Sequence, residues 1–269
     1  MSDLVTLEWP REGVALITMT NPDIKNHGSW EAIEQVGEYL TQARNEGARV
    51  SVLASGIDGH WFEHAWLRDL RNGVIGEPTT SKGKGAGWGT CLQELACEPV
   101  ITIAAINGDT SGGGCELGWA CDLRIADEQA RFAQPEVQIA LTTGIGGTSR
   151  LARIVGRTAA AEIVLDGRYV SAARIYQLGG VNRVVPNGTC TEVALEWADR
   201  LAERPAHALA TLKRILISND EHLNLPDALT NEQKLFGTTV STQEAIDTMG
   251  EIQDRFDQGV SPAEEYGVQ

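Results

Sequence analysis

The chain of 269 residues is long enough for one large domain or for a domain with a substantial appendage, and 42% apolar residues suffice for a buried core. A formal net charge of −15 and a pI near 4.7 argue against the basic surface that binds nucleic acid or an anionic membrane. Five cysteines form an odd set without a CxxC pair, so we expect reduced thiols and no disulfide framework.

The N-terminal segment MSDLVTLEWPREG lacks the basic and apolar stretches of a signal peptide. The longest apolar runs, VALITM and VITIAAI, are too short to span a bilayer. We therefore expect a soluble, cytoplasmic protein without nucleic-acid or membrane partners. A phosphate-bearing ligand remains compatible with a few local basic groups.

The first part of the chain alternates strand and helix patterns. VTLEWPREGVALITMT predicts a hairpin, SWEAIEQVGEYLTQARNEG a helix capped by Ser29, and ARVSVLASG a buried strand. Helix-to-strand pairs follow in CLQELACEP with VITIAAING and in GGGCELGWACD with LRIADEQ. GTSRLARIVGRTAAAEIVLDG predicts one helical segment. This rhythm favours an α/β domain over an all-β sandwich.

After the strand GGVNRVVPNG every pattern is helical: CTEVALEWADRLAERP, AHALATLKRILISND, LPDALTNEQKLFGTTV and TQEAIDTMGEIQDRFDQG. We therefore predict a core domain over residues 1–190 that holds the active site, and a helical region over residues 191–269. Residues 73–90 are rich in Gly, Thr, Ser and Lys and predict a loop of the length that often covers a binding site.

The stretch SGGGCELGWACDLRIADEQARFAQPE places Glu116 two positions after a run of three glycines and Glu136 directly after Pro135. It has neither the GK[ST] of a P-loop nor the GxGxxG spacing of a dinucleotide site. The remaining uses of the glycines are close packing, or a helix N-terminus whose N–H groups face a developing negative charge. Two carboxylates near such amides suit proton chemistry beside a carbonyl group, or the binding of a water molecule.

Several segments resemble the crotonase superfamily, the enoyl-CoA hydratases and isomerases. They are TNPDIKN, AAINGDTSGGGCELGWACDLRIADEQARFAQPEV, TTGIGGTSRLARIVG and LDGRYVSAARIYQLGGVNRVV. The resemblance runs over nearly the whole chain. It implies a ClpP-like superhelix of β-β-α units, with a helical C-terminal region that assembles homotrimers or homohexamers.

The resemblance also implies roles for single residues. Gly113 would supply one oxyanion N–H, while Glu116 and Glu136 would occupy the two carboxylate positions of the hydratases. In such a reaction the carboxylates handle water and proton on a 2-enoyl-CoA thioester, and the amides stabilise its oxygen. No cofactor is expected, because coenzyme A is part of the acyl-CoA substrate.

The second oxyanion donor departs from the family pattern, which is of the FxAGADL kind. The corresponding stretch is WFEHAWLRDL, where Ala65 would give the N–H, His64 replaces a glycine and Trp66 an aspartate. Glycine often marks a conformation that other residues adopt only at a cost, so the angle of this donor is in question. Arg68 falls where relatives often carry a lysine that contacts CoA phosphates.

Other residues have two readings. His64 is either a surface residue or part of the acyl pocket, and Trp66 and Trp88 are better pocket candidates than Trp119, which fits the core. Gly144 is a further substrate-binding candidate, although Thr143 replaces the proline that is usual before it. Three more residues are expected to lack a site role, Cys115 in the core and Lys82 and Lys84 as solvated loop charges.

These observations lead to an enoyl-CoA hydratase with Glu116 and Glu136 as catalytic residues. The EHAW loop and the base-poor C-terminal helix EIQDRFDQG, whose only base is Arg255, keep alternatives open. They are a CoA-independent β-diketone hydrolase or a double-bond isomerase on the same fold. A non-catalytic assembly partner is a third alternative, against which the retained carboxylate pair argues.

Overall fold

The structure is a computed structural model that describes residues 4–76 and 85–220, with eight single positions further on. The chain divides into two compact units, Met1–Arg204 and Pro205–Gln269. The predicted helix CTEVALEWADRLAERP therefore lies in the first unit, although the sequence boundary after residue 190 placed it in the C-terminal region. This helix packs against strands of the first unit that include Val50–Ser55, Ile101–Ile106 and Leu123–Asp127, which explains the difference.

The strands of the described residues are, in chain order, β1 (Val5–Arg11), β2 (Val14–Met19), β3 (Val50–Ser55), β4 (Gly59–His60), β5 (Ile101–Ile106), β6 (Gly108–Ser111), β7 (Leu123–Asp127), β8 (Arg131–Ala133), β9 (Val170–Ser171) and β10 (Arg183–Val185). The α-helices of the same residues are α1 (Trp30–Asn45), α2 (Leu67–Ile75), α3 (Gly87–Ala96), α4 (Gly113–Ala120), α5 (Ser149–Val155), α6 (Arg157–Asp166), α7 (Ala172–Gln177), α8 (Cys190–Ala202) and α9 (Ala206–Asp220).

Two sheets organise the first unit. The larger has the order β1-β2-β3-β5-β7-β10 and is parallel except for the β1–β2 hairpin; the smaller has the order β4-β6-β8-β9. A strand of the larger sheet is followed by a short strand of the smaller one and then by a helix, as in β3-β4-α2 and β5-β6-α4. This repeat confirms the predicted α/β architecture of β-β-α units.

Helix α1 shows why the sequence patterns predicted these elements well. The Ser29 hydroxyl accepts a hydrogen bond from the Ala32 N–H at 3.3 Å, as a helix N-cap does. Ile33, Val36 and Leu40 recur at helical spacing and all are buried in the main core. The apolar face of the helix is thus the face that the spacing indicated.

The structure differs from the prediction at two helical segments. The segment predicted as one helix over GTSRLARIVGRTAAAEIVLDG is two helices, α5 and α6, because Gly156 has a φ of +80° and breaks the backbone path. The predicted loop over 73–90 overlaps the end of α2 and the start of α3, and α2 was not predicted.

Parts of the sequence prediction lie outside the described residues. They include Lys82, Lys84 and most of the two last predicted helices. Among the described helices, none combines the length and the apolar character needed to cross a membrane.

Gly114 is expected to tolerate no side chain. A Cβ on this helix residue would lie 1.8 Å from the carbonyl oxygen of Phe62, which is backbone and cannot move aside easily. We expect Gly114→Ala to destabilise the fold by about 3 kcal/mol through overpacking. Urea denaturation measures this free energy of unfolding.

The control for that substitution is Gly89→Ala. Gly89 is an exposed position of α3 where a Cβ meets no atom within 4 Å. There alanine should stabilise the helix by up to about 1 kcal/mol. Equal unfolding free energies for the two variants would contradict the close contact at Gly114.

Candidate active site

A cavity of about 430 Å³ lies in the first unit at the N-terminal end of α4. Most of its wall is apolar, with a few polar groups that converge on one region, which is typical of small-molecule sites. The residues that line it are His64, Ala65, Leu67, Leu70, Gly85, Trp88, Gly112, Gly113, Glu116, Pro135, Glu136, Gln138, Ile139, Leu141, Thr142, Gly144 and Ile145.

Glu116 stands in the first turn of α4, and its side chain is only 3% exposed. Its Oε1 accepts hydrogen bonds from the N–H of Ile145 at 2.9 Å and of Gly147 at 2.7 Å. The loop that carries these donors is closed by Thr143, whose Oγ1 accepts from the Thr148 N–H at 3.1 Å. Two backbone donors therefore hold one oxygen of this carboxylate, and Oε2 receives no hydrogen bond from the described residues.

Glu136 begins a short 3-10 helix, Glu136–Ile139, which Pro135 precedes as N-cap. This turn places the Glu136 carboxylate close to Gly112, the N-cap of α4. A Cβ on Gly112 would lie only 3.1 Å from Oε1 of Glu136. Burial raises the pKa of Glu136, its own backbone N–H partly opposes that effect, and the nearby charge of Glu116 raises the pKa further. Glu136 is therefore the carboxyl group that holds a proton to higher pH than an ordinary glutamate.

A buried glutamine orients Glu136. With the Gln134 amide placed to satisfy its neighbours, its nitrogen donates to Oε1 and Oε2 of Glu136 at 3.1 and 3.2 Å. Its oxygen accepts from the indole N–H of Trp119 at 3.2 Å, and Trp119 is a core residue as predicted. Sequence reasoning missed Gln134, although a polar residue two positions before a candidate acid was an available signal.

Two residues that line the cavity, Ala65 and Gly113, have backbone N–H groups without an acceptor among the described residues. Gly113 is the first residue of α4, where a helix N–H has no intrahelical partner. Gly112 positions it with a φ of +46°, which favours glycine. Ala65 forms a parallel β-bridge with Gly28. In this bridge the Gly28 N–H donates to the His64 carbonyl and the Trp66 N–H donates to the Gly28 carbonyl. The Ala65 N–H takes no part in the bridge and points away from Gly28.

The replacement of glycine by His64 does not strain the donor loop. Among the described non-glycine residues, the positive φ angles belong to Lys25, Asn26 and Ala140, so His64 has a conformation open to any residue. Glu63, the residue before His64, also anchors this loop. This carboxylate is 5% exposed and lies 3.0 Å from the His60 ring and within 3.4 Å of two hydroxyls, those of Ser111 and Tyr169.

The cavity brings together seven of the nine predicted site residues, which are Glu116, Glu136, Gly113, Ala65, His64, Trp88 and Gly144. Trp66 and Arg68 do not line it; instead the Arg68 guanidinium lies 5.7 Å from the Trp66 ring centroid. Their substrate-binding role stays a prediction. The apolar wall, formed largely by Leu67, Leu70, Ile139 and Leu141, was not predicted.

Trp88 supports the glycine amides directly. A Cβ on Gly28 or Gly113 would lie 2.7 or 2.8 Å from its ring, so both glycines let the indole pack against the backbone. Cys115 is fully buried, and burial raises the pKa of its thiol, which agrees with the expected core role. Among the described residues, no group of three or more His, Cys, Asp or Glu side chains could hold a metal ion.

The raised pKa of Glu136 can be tested by carbon NMR of carboxyl-labelled protein. We expect one carboxyl resonance to titrate above the roughly 4.3 of an unperturbed glutamate. Glu116→Gln removes the neighbouring charge and should lower the pKa of Glu136, while Glu136→Gln should remove the resonance and so identify it. An unchanged titration in Glu116→Gln would show that the two carboxyl groups do not interact.

Comparison with known proteins gives consistent matches. The family model described as enoyl-CoA hydratase/isomerase matches residues 10–257. The chain is 30% identical over 242 residues to the short-chain-enoyl-CoA hydratase of Clostridium acetobutylicum, covering 89% of this chain and 91% of that protein. It is 31% identical over 236 residues to the mitochondrial enoyl-CoA hydratase of Pongo abelii, covering 88% of this chain and 79% of that protein.

Solved structures agree with the sequence matches. Enoyl-CoA hydratase from Bacillus anthracis superposes with a TM-score of 0.82 at 27% identity, covering 94% of this chain and 96% of that one. Enoyl-CoA hydratase from Thermoplasma volcanium gives a TM-score of 0.80 at 25% identity, covering 93% and 97%. The similarity thus extends over nearly the full length of each chain.

Proposed function

Because the chain belongs to the enoyl-CoA hydratase/isomerase family, we propose that it is a hydro-lyase that adds water to a 2-enoyl-CoA thioester. One observation carries this proposal: the carboxylates of Glu116 and Glu136 line the same cavity as the free N–H groups of Ala65 and Gly113. The wall is otherwise largely apolar, which suits an acyl chain.

The N–H groups of Ala65 and Gly113 bind the thioester oxygen in this mechanism. They stabilise the negative charge that gathers on the oxygen when the double bond is attacked, as in other oxyanion holes. The α4 N-terminus adds the favourable end of its dipole at Gly113. A fixed oxygen position brings the α- and β-carbons next to the two carboxylates.

The carboxylates divide the proton transfers. Oε2 of Glu116 accepts a hydrogen bond from the attacking water and takes its proton as the oxygen bonds to the β-carbon. The electron pair of the double bond passes to the α-carbon, which receives a proton from Glu136. The raised pKa of Glu136 supports its role as the donor. Proton exchange with solvent then restores both groups.

The reaction is tested by calorimetric titration with a short and a medium-chain acyl-CoA, followed by a crotonyl-CoA hydration assay. Hydration consumes the conjugated double bond, so the ultraviolet absorbance of the thioester falls. Binding together with hydration supports the proposal. Binding without hydration overturns the reaction, and the absence of both overturns the ligand class as well.

The alternatives at this site are double-bond isomerisation and CoA-independent β-diketone hydrolysis. The observation that favours them is the EHAW loop, because His64 lines the cavity where relatives of the FxAGADL pattern have glycine. A 3-enoyl-CoA thioester and a cyclic β-diketone, offered to the same sample, distinguish them from hydration.

The proposal extends to assembly and location. We place the enzyme in the cytoplasm as a homotrimer or homohexamer that assembles through its helical C-terminal region, with coenzyme A only as part of the substrate. Light scattering coupled to size-exclusion chromatography measures the assembly, and a monomer would contradict it.

A further inference from the structure

His64 brings an imidazole into the wall of the cavity close to the catalytic carboxylates. If Gly112 carried a Cβ, this atom would lie 3.0 Å from the His64 Cβ and 3.1 Å from Oε1 of Glu136. His64 and Glu136 are therefore both close neighbours of Gly112. His64 also directly precedes Ala65 in the donor loop. The His64 side chain therefore lies next to the N–H that binds the thioester oxygen in the proposed mechanism.

The orientation of the His64 ring is set on two sides. Its Nδ1 lies 2.7 Å from the carbonyl oxygen of Ala65. The His27 ring packs against it edge to face, with centroids 4.4 Å apart and an interplanar angle of 82°. The backbone is held too, since the Gly28 N–H donates to the His64 carbonyl at 2.9 Å. A ring held in this way presents a defined group to a ligand.

The contact with Ala65 determines which tautomer is present. A carbonyl oxygen only accepts hydrogen bonds, so Nδ1 carries the proton, and Nε2 of the neutral ring is an acceptor. Among the described residues, no group donates to Nε2. His64 lines the cavity, and Nε2 is the one hydrogen-bond acceptor on its ring.

The acceptor discriminates among the oxygen groups that an acyl chain can carry. A ketone oxygen has no hydrogen to donate, so it cannot bond to Nε2 of this tautomer. A carboxylate is also an acceptor only, and it would bring a further negative charge into a cavity that already holds the carboxyl groups of Glu116 and Glu136. A hydroxyl group donates a hydrogen bond and is neutral, so it fits both conditions.

We propose that His64 selects 2-enoyl-CoA substrates whose acyl chain carries a hydroxyl group, an inference that rests on the proposed hydration of CoA thioesters. The Nε2 atom accepts a hydrogen bond from the substrate hydroxyl while Nδ1 keeps its bond to Ala65. Substrates with a purely apolar chain leave this acceptor without a partner in a largely apolar wall, which costs binding free energy.

Two variants separate the two ring nitrogens. His64→Asn places an amide near the level of Nδ1, where it can still donate to the Ala65 carbonyl, but it does not reach the position of Nε2. His64→Gln reaches the position of Nε2. His207→Asn makes the same change at an exposed histidine of α9 and serves as the control.

The first measurement uses saturated ligands, which the hydration reaction does not consume. Butyryl-CoA is compared with 4-hydroxybutyryl-CoA, and hexanoyl-CoA with 6-hydroxyhexanoyl-CoA, by calorimetry. We expect wild type and His207→Asn to bind one of the two hydroxylated ligands about five- to tenfold more tightly than the unsubstituted acyl-CoA of the same chain length. This is the effect of about one hydrogen bond. His64→Asn should lose this ratio and His64→Gln should retain part of it.

The second measurement is the kcat/KM for hydration of crotonyl-CoA and of the hydroxylated 2-enoyl-CoA of matching length. Equal binding of each pair by wild type, or a preference that survives in His64→Asn, overturns the role of His64 even if crotonyl-CoA is hydrated. A His64-dependent preference in binding without hydration upholds the role of His64 and overturns the proposed reaction. Failure to bind any CoA thioester overturns both.

Discussion

Glu136→Gln is expected to hydrate crotonyl-CoA about a thousandfold more slowly than wild type, the usual size of a lost general acid. The amide has nearly the same shape but cannot deliver a proton to the α-carbon. Ligand binding should change little, because the apolar wall and the oxyanion N–H groups are untouched. The measurement is kcat for crotonyl-CoA together with Kd for a saturated acyl-CoA.

The same variant should not be less stable, which separates lost chemistry from lost fold. Because the folded-state pKa of Glu136 is raised, its ionisation opposes folding as the pH rises above the unfolded value of about 4.3. Glu136→Gln removes that cost, so its free energy of unfolding at neutral pH should equal or exceed that of wild type. The difference should fade as the pH falls below about 4.3, because the carboxyl group then becomes protonated in both states.

Glu128→Gln is the control for Glu136→Gln. It removes the same charge at an exposed turn after β7, and full activity is expected. Wild-type hydration by Glu136→Gln would refute the assignment of the proton donor.

Glu116→Gln is expected to lower kcat by about a hundred- to a thousandfold, because an amide cannot take a proton from the attacking water. The fold should survive, since the Gln oxygen can still accept from the N–H groups of Ile145 and Gly147. Hydration kinetics and urea denaturation of the same preparation check both statements.

Glu116→Ala separates the structural role of this side chain from its chemical role. It leaves the same two N–H groups without their acceptor and should destabilise the fold by about 2 kcal/mol relative to Glu116→Gln. If the alanine and glutamine variants are equally stable, these hydrogen bonds do not hold the loop that ends at Gly147. If Glu116→Gln hydrates crotonyl-CoA at the wild-type rate, Glu116 is not the base.

Local patterns were sufficient for most of the fold. The β1–β2 hairpin and helix α1 with its Ser29 cap follow from periodicity and capping, and helix α4 begins within the predicted glycine-rich segment, at Gly113. These signals act within a few residues, so the chain alone specifies them. The single helix predicted across Gly156 was wrong because an apolar stripe does not reveal a backbone that turns at one glycine with positive φ.

The sequence predicted those site residues that are close together in the chain or that belong to a family motif. Gly113 and Glu116 lie in one helical turn. Pro135 indicates the chain turn that places Glu136 near α4. Gln134 was missed because its role depends on two partners, Trp119 and Glu136, of which only Glu136 is near it in the chain. The placement of Trp66 and Arg68 outside the cavity lining likewise depends on how α2 begins.

The amino-acid sequence by itself determined the family, the α/β class and the carboxylate and amide groups available for chemistry, because these reside in composition, periodicity and motifs. Only the tertiary structure decided how the groups act. It brought the N–H groups of Ile145 and Gly147 to Glu116, partly buried Glu136 so that its pKa rises, and oriented the His64 ring by its contact with Ala65. Such hydrogen bonds and burial arise between segments far apart in the chain or from packing, which no local pattern encodes.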